Sequence, residues 1–188
     1  AKDFTDYKAN VADWHGQIEA ITTRLLRDEL GDGQCGAFLI WGDPALYDST
    51  LRIVEAIHRN NEVSFDYEII PGITAALAAG SHAGIPITHR ESASAVALVT
   101  GHENDEKSTP LIDYRALATF PGTIVFYMGV TTVEQWSRAL IEGGKSPQTP
   151  VAVVRRCSWP DQIVYRTTLV SLPALVEQKR LRPPVIFI

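Results

Sequence analysis

Cysteine is scarce in this chain: Cys35 and Cys157 stand far apart, with no C-x-x-C pair and no metal-ligand spacing. That excludes a disulfide framework and a zinc site, and it suits a reducing, cytoplasmic setting. A surplus of cations is lacking too, since 17 Lys and Arg face 22 Asp and Glu for a net charge of −5. General phosphate recognition needs such a surplus, so no nucleic-acid partner is expected and any anion site must be a local cluster. No apolar run approaches the roughly 20 residues that span a bilayer, and the opening residues do not read as a signal peptide. A soluble protein without a membrane partner is expected. No G-x-G-x-x-G follows a strand and opens a helix, which counts against a nicotinamide-dependent reductase. No His pair has ligand spacing on a helix, so no metal is expected.

What is present is an ordinary globular composition, 188 residues of which 45% are hydrophobic, enough for one large domain or two small ones with a sizeable core. Val11, Trp14, Ile18, Ile21 and Leu25 recur at helical spacing before Gly31 and Gly33, and predict one amphipathic helix. Ala37 to Trp41 is a continuous apolar run emptying into Gly42-Asp43-Pro44, the pattern of a buried strand. Asp48 is placed to cap a helix carrying Leu51, Val54 and Ile57, followed by a strand at Phe65 to Ile70, a Pro71-Gly72 turn and an Ala-rich helix ending near Gly84. Alternating strand and helix implies a parallel sheet whose ligands gather at the strand carboxyl ends. Beyond Pro86 the runs Val96–Thr100, Ile124–Tyr127, Val151–Val154 and Ile163–Leu169, with helices near Arg115 and Trp136, suggest a mixed sheet. A boundary near His89 divides the chain into domains 1–89 and 90–188. Ala1 in place of an initiator Met, and an unclosed apolar run at Val185–Ile188, read as truncation at both ends.

Gly42-Asp43-Pro44 is a common tight turn, and equally a place where a ligand approaches the backbone beside a carboxylate acceptor. Pro71-Gly72-Ile73-Thr74-Ala75-Ala76 is a second junction, where backbone N–H groups and a Thr hydroxyl face the strand ends; simple helix capping is the alternative. These blocks, followed in order by Gly84-Ile85-Pro86-Ile87-Thr88-His89-Arg90, Val99-Thr100-Gly101-His102-Glu103, Phe126-Tyr127-Met128-Gly129, Ser146-Pro147-Gln148-Thr149-Pro150-Val151-Ala152 and Arg182-Pro183-Pro184, resemble the tetrapyrrole methylases. The likeness covers nearly the whole chain and is greatest to the uroporphyrinogen-III C-methyltransferases.

The resemblance implies two α/β domains holding S-adenosylmethionine between them, a homodimer, and methylation of uroporphyrinogen III. Residue by residue it implies cofactor contacts at Gly42, Asp43, Leu46, Thr74, Ala75, Met128, Ala152 and Cys157. Without it, Met128 would read as a core residue at a strand end, and Cys157 stands where the family usually has a smaller side chain. The part before Pro71, with Trp41 where the uroporphyrinogen enzymes have Gly, looks more like precorrin-6A synthase, a later methylase of cobalamin synthesis. The family's opening strand and Gly-Pro-Gly-Asp loop, source of its proposed base, have no counterpart here. A fragment that binds cofactor without turnover is therefore a further reading.

Methyl transfer from a sulfonium to an electron-rich pyrrole carbon needs in-line positioning and a base for the ring proton, and no metal. His89 and His102 are candidate bases, although each lies among turn residues and could merely brace a loop. A substrate rich in carboxylates needs guanidinium partners, for which Arg90, Arg155 and Arg156 are the candidates, surface charge being the plain alternative.

Overall fold

The computed structural model describes residues 7–101 and 112–188, with side chains from Trp14 onward. Two compact units meet in sequence at Thr74 and Ala75, upstream of the boundary expected near His89. The first unit pairs α1 (Tyr7–Asp28) with α2 (Thr50–Asn60). As expected, Asp48 serves the start of α2: its carboxylate accepts the Thr50 N–H at 2.6 Å. Asn61 ends the helix in the left-handed region at φ 53°, a conformation Asn tolerates better than most residues. Ile53 and Ile57, one turn apart, are its buried residues.

The stripe on α1 is a correction. Trp14, Ile21 and Leu25 remain 50%, 45% and 41% exposed, while Thr22 and Thr23 are buried. Polar bonds from His15 to Ser49 and from Asn60 to Glu19 join the two helices instead.

The runs at Ala37–Trp41 and Phe65–Ile70 are a second correction. Both lack helix, yet no strand forms in this unit among the described residues. Leu39, Trp41 and Ile70 are 97%, 82% and 80% exposed. A strand exists through the N–H···O=C bonds it exchanges with a neighbour, and an apolar run is buried on both faces only when neighbours and covering helices are in place. Neither run has a ladder partner among the described residues.

In the second unit α3 (Ala75–Ala83) precedes five strands: β1 (Val96–Thr100), β2 (Thr123–Tyr127), β3 (Pro150–Arg155), β4 (Ile163–Thr168) and β5 (Val185–Phe187). They form one sheet in the order β1-β2-β5-β3-β4. β1 and β2 are parallel and the other pairs antiparallel, so the sheet is mixed, as expected. The apolar run at Val185–Phe187 lies between β2 and β3, with all three residues buried.

Phe126, Val153 and Phe187 are in register and share one face. That face packs on α5 (Val133–Glu142) and α6 (Leu172–Gln178) through Trp136, Leu140, Leu172 and Val176. Trp136 stacks on Phe126 at 4.0 Å between centroids and meets Phe187 edge-on at 5.4 Å. Its indole N–H is satisfied by Gly129 O at 2.8 Å. Asp113 caps the short α4 (Tyr114–Ala118) through the N–H groups of Arg115 and Ala116. The opposite face of the sheet meets α3, whose small Ala76, Ala79, Gly80 and Ala83 are buried.

Candidate functional site

In the first unit the two loops singled out in the sequence are joined to each other. Asp43 is half-buried and spends both carboxylate oxygens on backbone donors: Oδ1 accepts the Ala45 N–H at 2.9 Å and Oδ2 the Gly72 N–H at 3.0 Å. Those two bonds, Ala45 before Gly72, hold its carboxyl below the ordinary 3.8. The crossing requires glycine, since a Cβ on residue 72 would stand 2.0 Å from Gly42 O. Gly42 itself is left-handed at φ 80°, and Leu46 N closes the turn onto Asp43 O at 3.2 Å. Asp43 is thus a clasp between loops, a role that its neighbours in sequence do not announce because the partner lies 29 positions away.

In the second unit the topology sets one edge of the sheet apart. β5 is antiparallel to both β2 and β3, and β1 is parallel to β2, so β1, β2 and β3 all end there. Gly101, Met128 and Arg155-Arg156 lie along that edge. By register Met128 and Arg155 sit at one level with a strand between them, roughly 10 Å apart at two strand spacings. Met128 has φ 53° and is 49% exposed, which rules out the core reading. Gly101 N bonds to Tyr127 O at 2.7 Å, and a Cβ on Gly101 would meet Gly129 Cα at 2.4 Å. Only glycine lets the ends of β1 and β2 approach this closely.

Tyr127 is a residue that sequence reading missed. Buried at the end of β2, it turns away from the Phe126 face, and its hydroxyl accepts the Ala76 N–H of α3 at 2.7 Å. A helix N-terminus offers free N–H groups, and this bond takes one of them. Ala152 is a buried mid-strand residue bonded in both directions to Ile188, and Cys157, partly exposed, follows β3 with Sγ 3.8 Å from Ser158 Oγ.

The turn from β3 to β4 gathers the arginines. Asp161 Oδ2 lies 2.6 Å from Arg156 Nη1 and 3.6 Å from Arg155 Nη1, and the Arg156 guanidinium lies 4.1 Å above the Trp159 ring. Arg90 is exposed in the turn closed by His89 and Ala93, whose N–H and C=O groups exchange bonds of 2.7 and 2.8 Å. His89 Nδ1 accepts the Glu91 N–H at 3.3 Å, so its ring braces a loop. His102 lies outside the described residues. Among the described residues no cluster of His, Cys, Asp and Glu is arranged to hold a metal, and no helix is long and apolar enough to cross a membrane.

An α/β unit with glycine-lined strand ends is the class that fold and edge define. The family of tetrapyrrole (corrin/porphyrin) methylases matches residues 2–173, and the chain belongs to it. It is 36% identical over 172 residues to the S-adenosyl-L-methionine-dependent uroporphyrinogen III methyltransferase of Methanosarcina barkeri, covering 92% of this chain and 66% of that protein. Identity to the uroporphyrinogen-III C-methyltransferase of Bacillus subtilis is 37% over 164 residues, covering 87% of this chain and 33% of that one. Among solved structures, the uroporphyrin-III C-methyl transferase of Thermus thermophilus, complexed with S-adenyl homocysteine, superposes with a TM-score of 0.67 at 27% identity, over 92% of this chain and 71% of that one. The chain thus spans between a third and two thirds of the length of these curated relatives.

Proposed function

We propose that this chain carries the S-adenosylmethionine-dependent C-methylation of uroporphyrinogen III to precorrin-2, in sirohaem and cobalamin synthesis. The observation that carries the reading is the 36% identity over 92% of the chain to a methyltransferase named for that cofactor and substrate. The residues suit an adenosyl sulfonium in chemistry: an exposed thioether at Met128, loops closed by glycine at Gly42 and Gly72, and N–H and hydroxyl donors at Ala75 and Thr74. We assign the cofactor contacts to Gly42, Asp43, Leu46, Thr74, Ala75, Met128, Ala152 and Cys157. Ala152, with its side chain buried within the sheet, serves through its small size. We place the functional boundary near His89, and read the protein as a cytoplasmic homodimer.

The bound cofactor supplies an electrophilic methyl on a sulfonium. The chain's part is to orient a pyrrole carbon in line with the S–CH₃ bond, so that a C–C bond forms as that bond breaks and S-adenosylhomocysteine leaves. In-line positioning supplies much of the acceleration. Loss of the ring proton then needs a base, and we do not assign one: His89 is engaged in its loop and His102 is the other candidate. Arg90, Arg155 and Arg156 are our candidates for the substrate carboxylates.

Calorimetric titration with S-adenosylhomocysteine, beside an assay for methyl transfer to uroporphyrinogen III, tests the proposal. Binding and precorrin-2 formation are expected. Binding without turnover would make this a cofactor-binding fragment, methylation only of a later corrin precursor would favour the precorrin-6A synthase reading, and no binding would overturn all three readings.

A further inference from the structure

Arg155 and Arg156 are adjacent in sequence yet point their guanidinium groups at one oxygen, Asp161 Oδ2. Side-chain exposure orders the three groups: the arginines are 28% and 30% exposed, the aspartate 50%. The arginines are thus paired with the most exposed group of the three, a carboxylate within reach of solvent and of an incoming anion. The loop beneath is held in shape. Arg156 and Ser158 are left-handed at φ 51° and 67°, a strained conformation for residues with side chains, which persists only where the surroundings enforce it. Here Arg156 N bonds to Pro184 O, Trp159 N to Arg156 O and Ser158 N to Gln162 Oε1, at 3.0, 3.0 and 2.7 Å. Trp159 lies against the Arg156 guanidinium and restricts its plane. Among the described residues, two preset cations and one aspartate give the cluster a net positive charge and N–H donors beyond those that face Asp161, suited to a second carboxylate.

We propose that Asp161 is a built-in stand-in for a substrate carboxylate, occupying the Arg155–Arg156 pair until an external carboxylate displaces it. This deepens the proposed function and rests on its reading of the two arginines as substrate-binding. The physical consequence is a displacement cost. An external carboxylate trades one carboxylate–arginine contact for another, so a ligand binds tightly only where it engages other cations at the same time. A carboxylate that binds without displacing Asp161 meets like-charge repulsion. Asp161 thus weakens binding of all carboxylates at this loop, and only those with other contacts bind tightly in spite of it.

The test is fluorescence titration of the whole chain with two oxidised porphyrins, the octacarboxylate uroporphyrin III and the tetracarboxylate coproporphyrin III, at several salt concentrations. Asp161→Asn keeps the shape and removes the charge, and Asp161→Ser serves if the first variant folds poorly by thermal unfolding. Both are expected to tighten binding of both porphyrins by roughly three- to tenfold and to steepen its salt dependence. The double variant Arg155→Ala, Arg156→Ala is expected to lose most of the binding. If the double variant loses binding while the Asp161 variants bind as the parent does, or more weakly, the stand-in role is overturned and the arginine reading survives. If the double variant binds uroporphyrin like the parent, the arginine reading fails and the proposal falls with it.

Discussion

The two units hold apolar runs of similar composition and treat them in opposite ways. Ala37-Phe38-Leu39-Ile40-Trp41 and Val185-Ile186-Phe187 are both short, continuous and apolar, yet Leu39 is 97% exposed and Phe187 only 1%. What differs is the neighbour. Residues 185–187 run between β2 and β3 and exchange ladder bonds with both strands, whereas residues 37–41 have no ladder partner among the described residues. Composition states that a segment will gain by burial; a strand on each side is what allows its backbone to be buried as well.

The sharpest way to break this contrast is to truncate one large residue in each unit. Trp136→Ala removes the ring that stacks on Phe126 and meets Phe187, and should cost about 3–5 kcal/mol in denaturant unfolding. Leu39→Ala removes a side chain that is almost fully exposed and should stay within about 0.5 kcal/mol. Equal losses would show that the first unit's apolar run is packed in solution.

A smaller effect is expected where the sheet holds α3. Tyr127→Phe leaves the Ala76 N–H without its acceptor and should cost about 1–3 kcal/mol. If the bond also presents Thr74 and Ala75 to the cofactor, S-adenosylhomocysteine affinity measured by calorimetry should fall by several-fold at temperatures where the variant remains folded. Unchanged affinity would confine Tyr127 to stability.

The smallest effect belongs to the clasp in the first unit. The Asp43 carboxyl is held below its ordinary 3.8 by the Ala45 and Gly72 N–H groups, so its contribution is complete above that value and disappears as pH falls below it. Amide protection at Ala45 and Gly72, followed by hydrogen exchange, should therefore weaken below pH 3.8 in the parent. In Asp43→Asn it should already be reduced at neutral pH. Protection that is the same in both proteins would remove the clasp.

Much of the second unit was legible in the sequence. Val96–Thr100 forms as expected, the helices near Arg115 and Trp136 are present, and β2, β3 and β4 lie within a residue or two of their expected bounds. Local pattern suffices there because each run meets the partners it needs. At the strand ends the sequence offered candidate positions but not their bonding partners. Gly42, Asp43, Thr74 and Met128 were singled out, but the Asp43 clasp, the Tyr127 hydroxyl bond and the sharing of Asp161 were not. A carboxylate five residues beyond Arg156 was the one local signal available for the last of these. The other two span 29 and 51 positions, beyond any local pattern.

By itself the sequence determined the class: its ordered blocks from Gly42-Asp43-Pro44 to Arg182-Pro183-Pro184 place the chain among the tetrapyrrole methylases, and its periodicities determine which segments are helices. Tertiary structure alone decided which apolar runs become strands, which face of α1 is buried, and what each polar group at the strand ends is paired with. The reason is physical. Helical bonds close within four residues and are specified by the segment that makes them, whereas ladder bonds, clasps and shared carboxylates need a partner that only the folded chain brings near.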